Sequence, residues 1–173
     1  MEKCDSEGDD CVINVYTDGA CKGNQLKKGA IAGVGVWFGE NDERNISEPL
    51  KGDLQTNNRA ELTALIRAIE IYYGDDDNAK RETRESSKKQ KLTQLVLHTD
   101  SKYCKDGIES WIKNWKKNNW KTSSRKPVKN KDLWQRLDSL IDLRNVKFEW
   151  VKGHAGIKGN DEADKLAVAG CTK

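Results

Sequence analysis

Apolar and polar positions alternate early in the chain. Residues 12–17 follow this two-residue period and predict a strand that ends at Asp18-Gly19. Residues 30–38 interleave Gly and Ala with Ile31, Val34, Val36 and Trp37 and predict a second strand, and a third is expected before Pro49. The three are close enough in sequence to form an antiparallel meander. Leu62, Leu65, Ile66, Ile69 and Tyr73 then recur at helical spacing. Asn58 followed by Glu61 resembles a capping box at the start of that helix, and Gly74 with the acidic run 75–77 ends it. Residues 75–91 hold five acids and six bases with almost nothing apolar, which predicts a solvated insertion or a frayed helix extension. Residues 92–99 read as a strand ending at Asp100, and strand, helix, strand in this order predicts a right-handed crossover between parallel strands. One or two short helices are expected over 101–116. Asn130 is placed as the cap of a helix carrying Leu133, Trp134, Leu137, Leu140 and Ile141. Val146, Phe148 and Trp150 alternate as a last strand, and a Gly-rich loop over 153–159 leads to a helix beginning near Asn160. No internal repeat is present. The pattern is α/β: a mixed sheet of about five strands flanked by helices, with 1–11 as a polar tail and 12–170 as one domain.

Composition narrows the class. A chain of 173 residues suits a single domain, and 35% hydrophobic against 34% charged residues leaves room for solvated loops. No apolar run has the length of a membrane span and none near Met1 reads as a signal peptide, so a soluble protein is expected. Five cysteines, an odd number with no CxxC pair, argue against a disulfide framework and a thiolate zinc site and for a reducing, intracellular compartment, cytoplasm or nucleus. The net charge of +3 is unevenly spread. Residues 111–131 carry seven Lys, one Arg and no acid, a charge of +8 that leaves −5 for the rest.

Two strands end alike, in Tyr16-Thr17-Asp18-Gly19 and His98-Thr99-Asp100-Ser101. In a parallel pair both aspartates lie at the carboxyl ends, where α/β sheets place ligands. Glu61, in the first turn of the intervening helix, is able to lean over the same edge, and Asp164 lies in the first turns of the last helix. Taken singly, each has a plainer reading as a turn, cap or solvated helix residue. Together, four converging carboxylates repel one another unless cations neutralise them. Oxygen donors suit hard divalent ions, Mg²⁺ first with Mn²⁺ as a substitute. Two such ions about 4 Å apart activate a water and stabilise a leaving oxygen in phosphodiester hydrolysis. His154, in the loop before Asp164, is a candidate proton relay or product-release group; His98, within a strand, is expected to be packed or at the surface.

Trp111, Trp115 and Trp120 are interleaved with the basic residues of the +8 window. Such a segment is either an amphipathic helix with a solvated basic face or a nucleic-acid grip, in which cations meet phosphates and indoles pack on sugars or bases. Eight bases without an acid favour the second reading.

Tyr16-Thr17-Asp18-Gly19, residues 55–61, Thr99-Asp100-Ser101, the segment from Trp115 through Thr122, and Gly153-His154 through Asp164 together resemble type 1 ribonuclease H, in that family's order and over nearly the whole chain from about Val12 to Gly170. The resemblance implies a ribonuclease H-like five-stranded mixed sheet. It implies cleavage of the RNA strand of an RNA–DNA hybrid by two metal ions, held by Asp18, Glu61, Asp100 and Asp164 and assisted by His154, leaving 3′-hydroxyl and 5′-phosphate ends. It places Cys21, Asn24, Asn57 and Asn58 against RNA 2′-hydroxyls, the groups that tell RNA from DNA. It places Trp111, Trp115, Lys116, Lys117, Trp120, Lys121, Thr122 and Ser123 on a basic protrusion (residues 111–131) that holds the DNA strand, and Thr56 and Asn130 in a phosphate pocket. Leu54 departs from the Arg that many members place in that pocket, Asn58 from a Gln, and the 75–91 segment is longer than usual. Many eukaryotic members also carry an N-terminal hybrid-binding domain, for which this chain has no room. A monomer that acts on a hybrid and not on membranes is expected. The alternatives are a DNA-directed nuclease of the same fold, a domain of a reverse transcriptase, or a hybrid-binding module without catalysis; all four carboxylates and the start at Met1 favour an independent enzyme.

Overall fold

Strand β1, Val12–Lys22, is the longest and the most central. It belongs to a computed structural model that describes residues 11–23, 29–74, 93–142 and 144–173. β1 pairs antiparallel with β2 (Ile31–Trp37), and β2 pairs antiparallel with β3 (Ile46–Pro49). On its other side β1 runs parallel to β4 (Gln94–Thr99), which runs parallel to β5 (Val146–Trp150). The sheet order is β3-β2-β1-β4-β5, the mixed five-stranded α/β sheet expected. The expected insertion at 75–91, the tail up to residue 10 and Leu92 lie outside the described residues.

The strand predicted to stop at Asp18-Gly19 does not stop there. Its parallel pairing with β4 ends at Tyr16↔His98, but its pairing with β2 continues through Asp18↔Gly35 to Lys22↔Ile31. Asp18 therefore sits where one neighbour strand has ended and the other persists. A ligand can reach it from the β4 side while β2 keeps its backbone fixed.

Helix α1 (Asn57–Tyr73) covers one face of the sheet, with Leu62, Leu65 and Ile69 fully buried against Val15, Val36, Leu95 and Leu97. Its cap is Thr56, not Asn58: the Thr56 hydroxyl oxygen accepts from Arg59 N–H at 3.2 Å. The expected capping box is absent: with Thr56 as the cap the third helical position is Arg59, and Glu61, two residues further on, is buried beside Asp18. The predicted short helices form one continuous rod: α2 (Lys102–Asp106), a π turn (Gly107–Trp111) and α3 (Ile112–Lys117). Gly107 faces the fully buried Trp134, whose ring would lie 2.1 Å from any Cβ there. Trp134 is on α4 (Lys131–Ile141), which packs on α1. Helix α5 (Lys158–Gly170) covers the opposite face, lying so close to β2 that Cβ atoms at Gly33 and Gly35 would meet the Ala167 and Ala163 carbonyl oxygens at 2.1 and 2.3 Å. No helix of the described residues is long and apolar enough to cross a membrane.

Candidate active site

Asp18, Glu61 and Asp100 reach one point from three elements. Asp18 comes from β1, on the face covered by α5. Glu61 comes from the first turns of α1, on the opposite face. Asp100 follows the last residue of β4. One carboxylate oxygen from each lies within 4.8 Å of the other two. The close approach depends on Gly19, whose missing side chain lets the Ala60–Glu61 backbone lie against β1.

Burial sets the electrostatics. Asp18 is 5% exposed and Glu61 4%. Burial first, and then the charge of Asp100, raises the Asp18 carboxyl from its ordinary 3.8 to about 7, although Gly19 N–H donates to its Oδ1 at 2.8 Å. Burial and the Asp18 charge push Glu61 well above the usual carboxylate range. Glu61 Oε2 is buried without a hydrogen-bond partner among the described residues. Charges crowded at this density and an acceptor left open both call for a cation. Every offered donor is an oxygen, and no thiolate or imidazole of the described residues joins the cluster, so the set fits a hard divalent ion of the Mg²⁺ class.

The fourth carboxylate, Asp164, lies in the second turn of α5 and is half-buried. It stands outside the three-oxygen cluster, but its charge still raises the Asp18 carboxyl. His154 is exposed and holds φ at +55° in the turn after β5; its neighbour Gly153 abuts Asp100. His98 is packed: it stacks on Tyr16 at 4.4 Å, faces Asn14 at 2.9 Å, and burial lowers its pKa.

Sequence reasoning gave Asn160 no role. It is 3% exposed, and its Nδ2 donates to Asp100 Oδ2 at 3.2 Å. Its place in the motif with Asp164 was a signal of position, but only the fold shows that it reaches across to β4.

Of the expected nucleic-acid contacts, Asn57 and Asn58 open α1 beside Glu61, and the Cys21 thiol donates to the Gln55 carbonyl at 3.5 Å. Asn24 lies outside the described residues. Trp111, Trp115 and Trp120 are half-buried and pack in a chain, with ring centroids 5.8 and 6.1 Å apart, over Trp134. They form the internal support of the 111–131 segment, whose exposed cations include Lys117, Lys121, Arg125 and Lys126. Beyond Trp120 the chain turns back, with Lys121 bridged to Pro127 and Thr122, Ser123 and Ser124 at the exposed tip. Lys116 differs from its neighbours, for it pairs with Asp138 at 3.2 Å and Asp142 at 3.8 Å. Asn130 starts α4 at φ +58° without a side-chain cap bond. Its amide instead accepts from Arg59 at 3.3 Å and donates to the Tyr103 hydroxyl at 3.0 Å. Thr56, Asn130, Arg59, Lys129 and Lys131 line a cavity of about 500 Å³, with Leu54 exposed at its rim.

The RNase H family model matches residues 10–172. A ribonuclease H of Ruthia magnifica is 47% identical over 159 residues, covering 90% of this chain and 92% of the relative. One of Schizosaccharomyces pombe is 45% identical, covering 92% of this chain and 53% of a longer relative. Among solved structures, LC9-RNase H1, described as a type 1 RNase H with the type 2 active-site motif, superposes with a TM-score of 0.67 at 28% identity, covering 93% of this chain and 72% of that one. With a family model matched along nearly its whole length and relatives this similar, the chain belongs to the ribonuclease H family.

Proposed function

We propose that the chain is an endonuclease that hydrolyses the RNA strand of RNA–DNA hybrids, leaving 3′-hydroxyl and 5′-phosphate ends. The observation that carries this reading is the convergence of Asp18, Glu61 and Asp100, with an open buried oxygen on Glu61, in a chain of this family. Asp18, Glu61, Asp100 and Asp164 bind two divalent cations, Mg²⁺ or Mn²⁺. Bound there, the ions supply water activation and stabilisation of the leaving oxygen. His154, exposed on its turn, accepts or releases a proton at the imidazole as product leaves. Asn57, Asn58, Asn24 and Cys21 meet the RNA strand, and the protrusion with the Thr56–Asn130 cavity meets the DNA strand. The enzyme acts as a monomer in a reducing intracellular compartment, consistent with the free thiols of Cys21, Cys104 and Cys171.

The test is cleavage of one end-labelled RNA presented alone, paired with RNA and paired with DNA, with Mg²⁺ and with EDTA. Cutting is expected only in the hybrid and only with metal. Cutting of duplex DNA in a parallel lane would move the assignment to a DNA-directed nuclease. Tight hybrid binding without any cutting would leave a binding module.

The protrusion makes a separate prediction. Removing the charges of Lys117 and Lys121 together should flatten the slope of log affinity against log salt by about 2, since each neutralised phosphate contributes roughly 0.9. Lys116→Ala should change the slope much less, because Asp138 and Asp142 already hold that cation. An unchanged slope in the Lys117/Lys121 variant, read by fluorescence anisotropy across salt, would rule out the protrusion as the DNA-strand grip.

A further inference from the structure

The two carboxylate oxygens of Asp100 have different surroundings. Oδ2 accepts from Asn160 Nδ2 at 3.2 Å, and Gly153 backs onto the same atom, so that a Cβ there would stand 3.0 Å away. The main chain around it is anchored as well. The Trp150 indole N–H donates to the Asp100 carbonyl at 3.2 Å, and Val151 N–H donates to the Thr99 carbonyl at 2.9 Å. Two neighbouring elements, β5 and α5, thus fix the backbone and one oxygen of this residue.

Asn160 is a costly way to do this. It is 3% exposed, and its Oδ1 is buried with no hydrogen-bond partner among the described residues. A buried acceptor left open weighs against folding, and an apolar side chain of similar size would avoid that cost. The orientation of the amide follows from its neighbour, since a flipped amide would set its oxygen against a carboxylate oxygen. A side chain that folding alone does not favour, and that places its N–H on one oxygen of a candidate metal ligand, is explained by what it does to that ligand.

We propose that Asn160 is the positioning residue for Asp100. Its charge-assisted hydrogen bond holds Oδ2, leaving Oδ1 as the oxygen that Asp100 offers to a divalent cation shared with Asp18 and Glu61. This rests on the metal-site reading above, and its test separates the two. Full-length wild type, Asn160→Leu and Asn160→Ala are titrated with Mg²⁺ by calorimetry and melted without metal; kcat and KM on a hybrid are then measured across Mg²⁺ concentrations. Asn160→Leu should melt at or above wild type, and Asn160→Ala, which leaves a void, below it. Both should bind Mg²⁺ about 10–100-fold more weakly. Both should lose kcat at low Mg²⁺, recover it as Mg²⁺ rises, and keep KM for the hybrid within about twofold of wild type. Metal affinity that follows the melting temperature, with Asn160→Leu binding as wild type does, overturns the proposal and leaves the metal site standing. Wild type that takes up no Mg²⁺ overturns both.

Discussion

Asp18→Asn is expected to reduce hydrolysis by a factor of about 10³ or more and, at the same time, to raise the melting temperature of the metal-free protein at pH 8. The first effect follows from the proposed role of Asp18 as a ligand of cations that would supply several kcal/mol of charge stabilisation, each 1.36 kcal/mol being tenfold in rate. The second follows from the site's own electrostatics. Asp18 titrates at about 7 in the folded chain against its ordinary 3.8, chiefly because of burial and then the charge of Asp100. Between those values the folded state binds a proton that the unfolded state does not, so stability falls as pH rises through this window. The cost is complete above pH 7 and absent below about pH 4. It amounts to roughly 2–4 kcal/mol, shared with Glu61, or about 5–10 °C in a chain of this size. The wild-type melting temperature without metal should therefore rise as pH is lowered from 8 towards 5. The asparagine variant should start higher at pH 8 and rise less. Mg²⁺ at a hundred times its dissociation constant should stabilise wild type by about 2.7 kcal/mol and the variant little. A variant that melts below wild type at pH 8 without metal would show that Asp18 is not held under repulsion there.

Why these carboxylates were legible and their surroundings less so has a physical answer. Strand period, helix period and the Asp at each strand end are local properties, and they placed Asp18, Glu61 and Asp100 on one sheet edge. What the sequence misjudged depends on partners far along the chain. Asp18 looked like a strand end, but pairing with β2 carries the strand onward to Lys22. The cap fell to Thr56, two residues before the expected Asn58, which leaves Glu61 beyond the capping position and buried beside Asp18. The charge count over 111–131 included Lys116 in full, since Asp138 and Asp142 lie outside that window yet meet it across the helices. The tryptophans were weighed between a core face and a nucleic-acid face. Their stacking over Trp134 shows a packing role, with exposed cations around them. Asn160 was invisible because nothing in a helix-start motif says which strand its amide will reach.

Gly19 gives the sharpest test of how the fold builds the site, because its two readings rank the same substitutions in opposite order. As a turn glycine after Asp18 it would tolerate Asn, which adopts turn conformations readily. In the structure Gly19 lies within β1 and is not among the glycines with positive φ. What excludes a side chain is space: a Cβ would stand 2.4 Å from Glu61 N, 2.5 Å from the Ala60 carbonyl carbon and 2.8 Å from Ala60 Cβ. Two of these three are backbone atoms of α1, so no rotamer change relieves the contact, and the helix start must move. Gly19→Ala is expected to cost about 1–3 kcal/mol, as overpacking does. Displacing Glu61 by about 1 Å should also lower hydrolysis by a factor of about 10². Gly19→Asn, being larger, should be worse on both counts. Melting temperature and Mg²⁺-dependent cleavage of a hybrid would be read for all three proteins. If Gly19→Asn proves milder than Gly19→Ala, the residue serves a turn and the helix start is not seated on it. The expected order, glycine above alanine above asparagine in both stability and rate, would tie the position of Glu61, and with it the carboxylate cluster, to one missing side chain on the neighbouring strand.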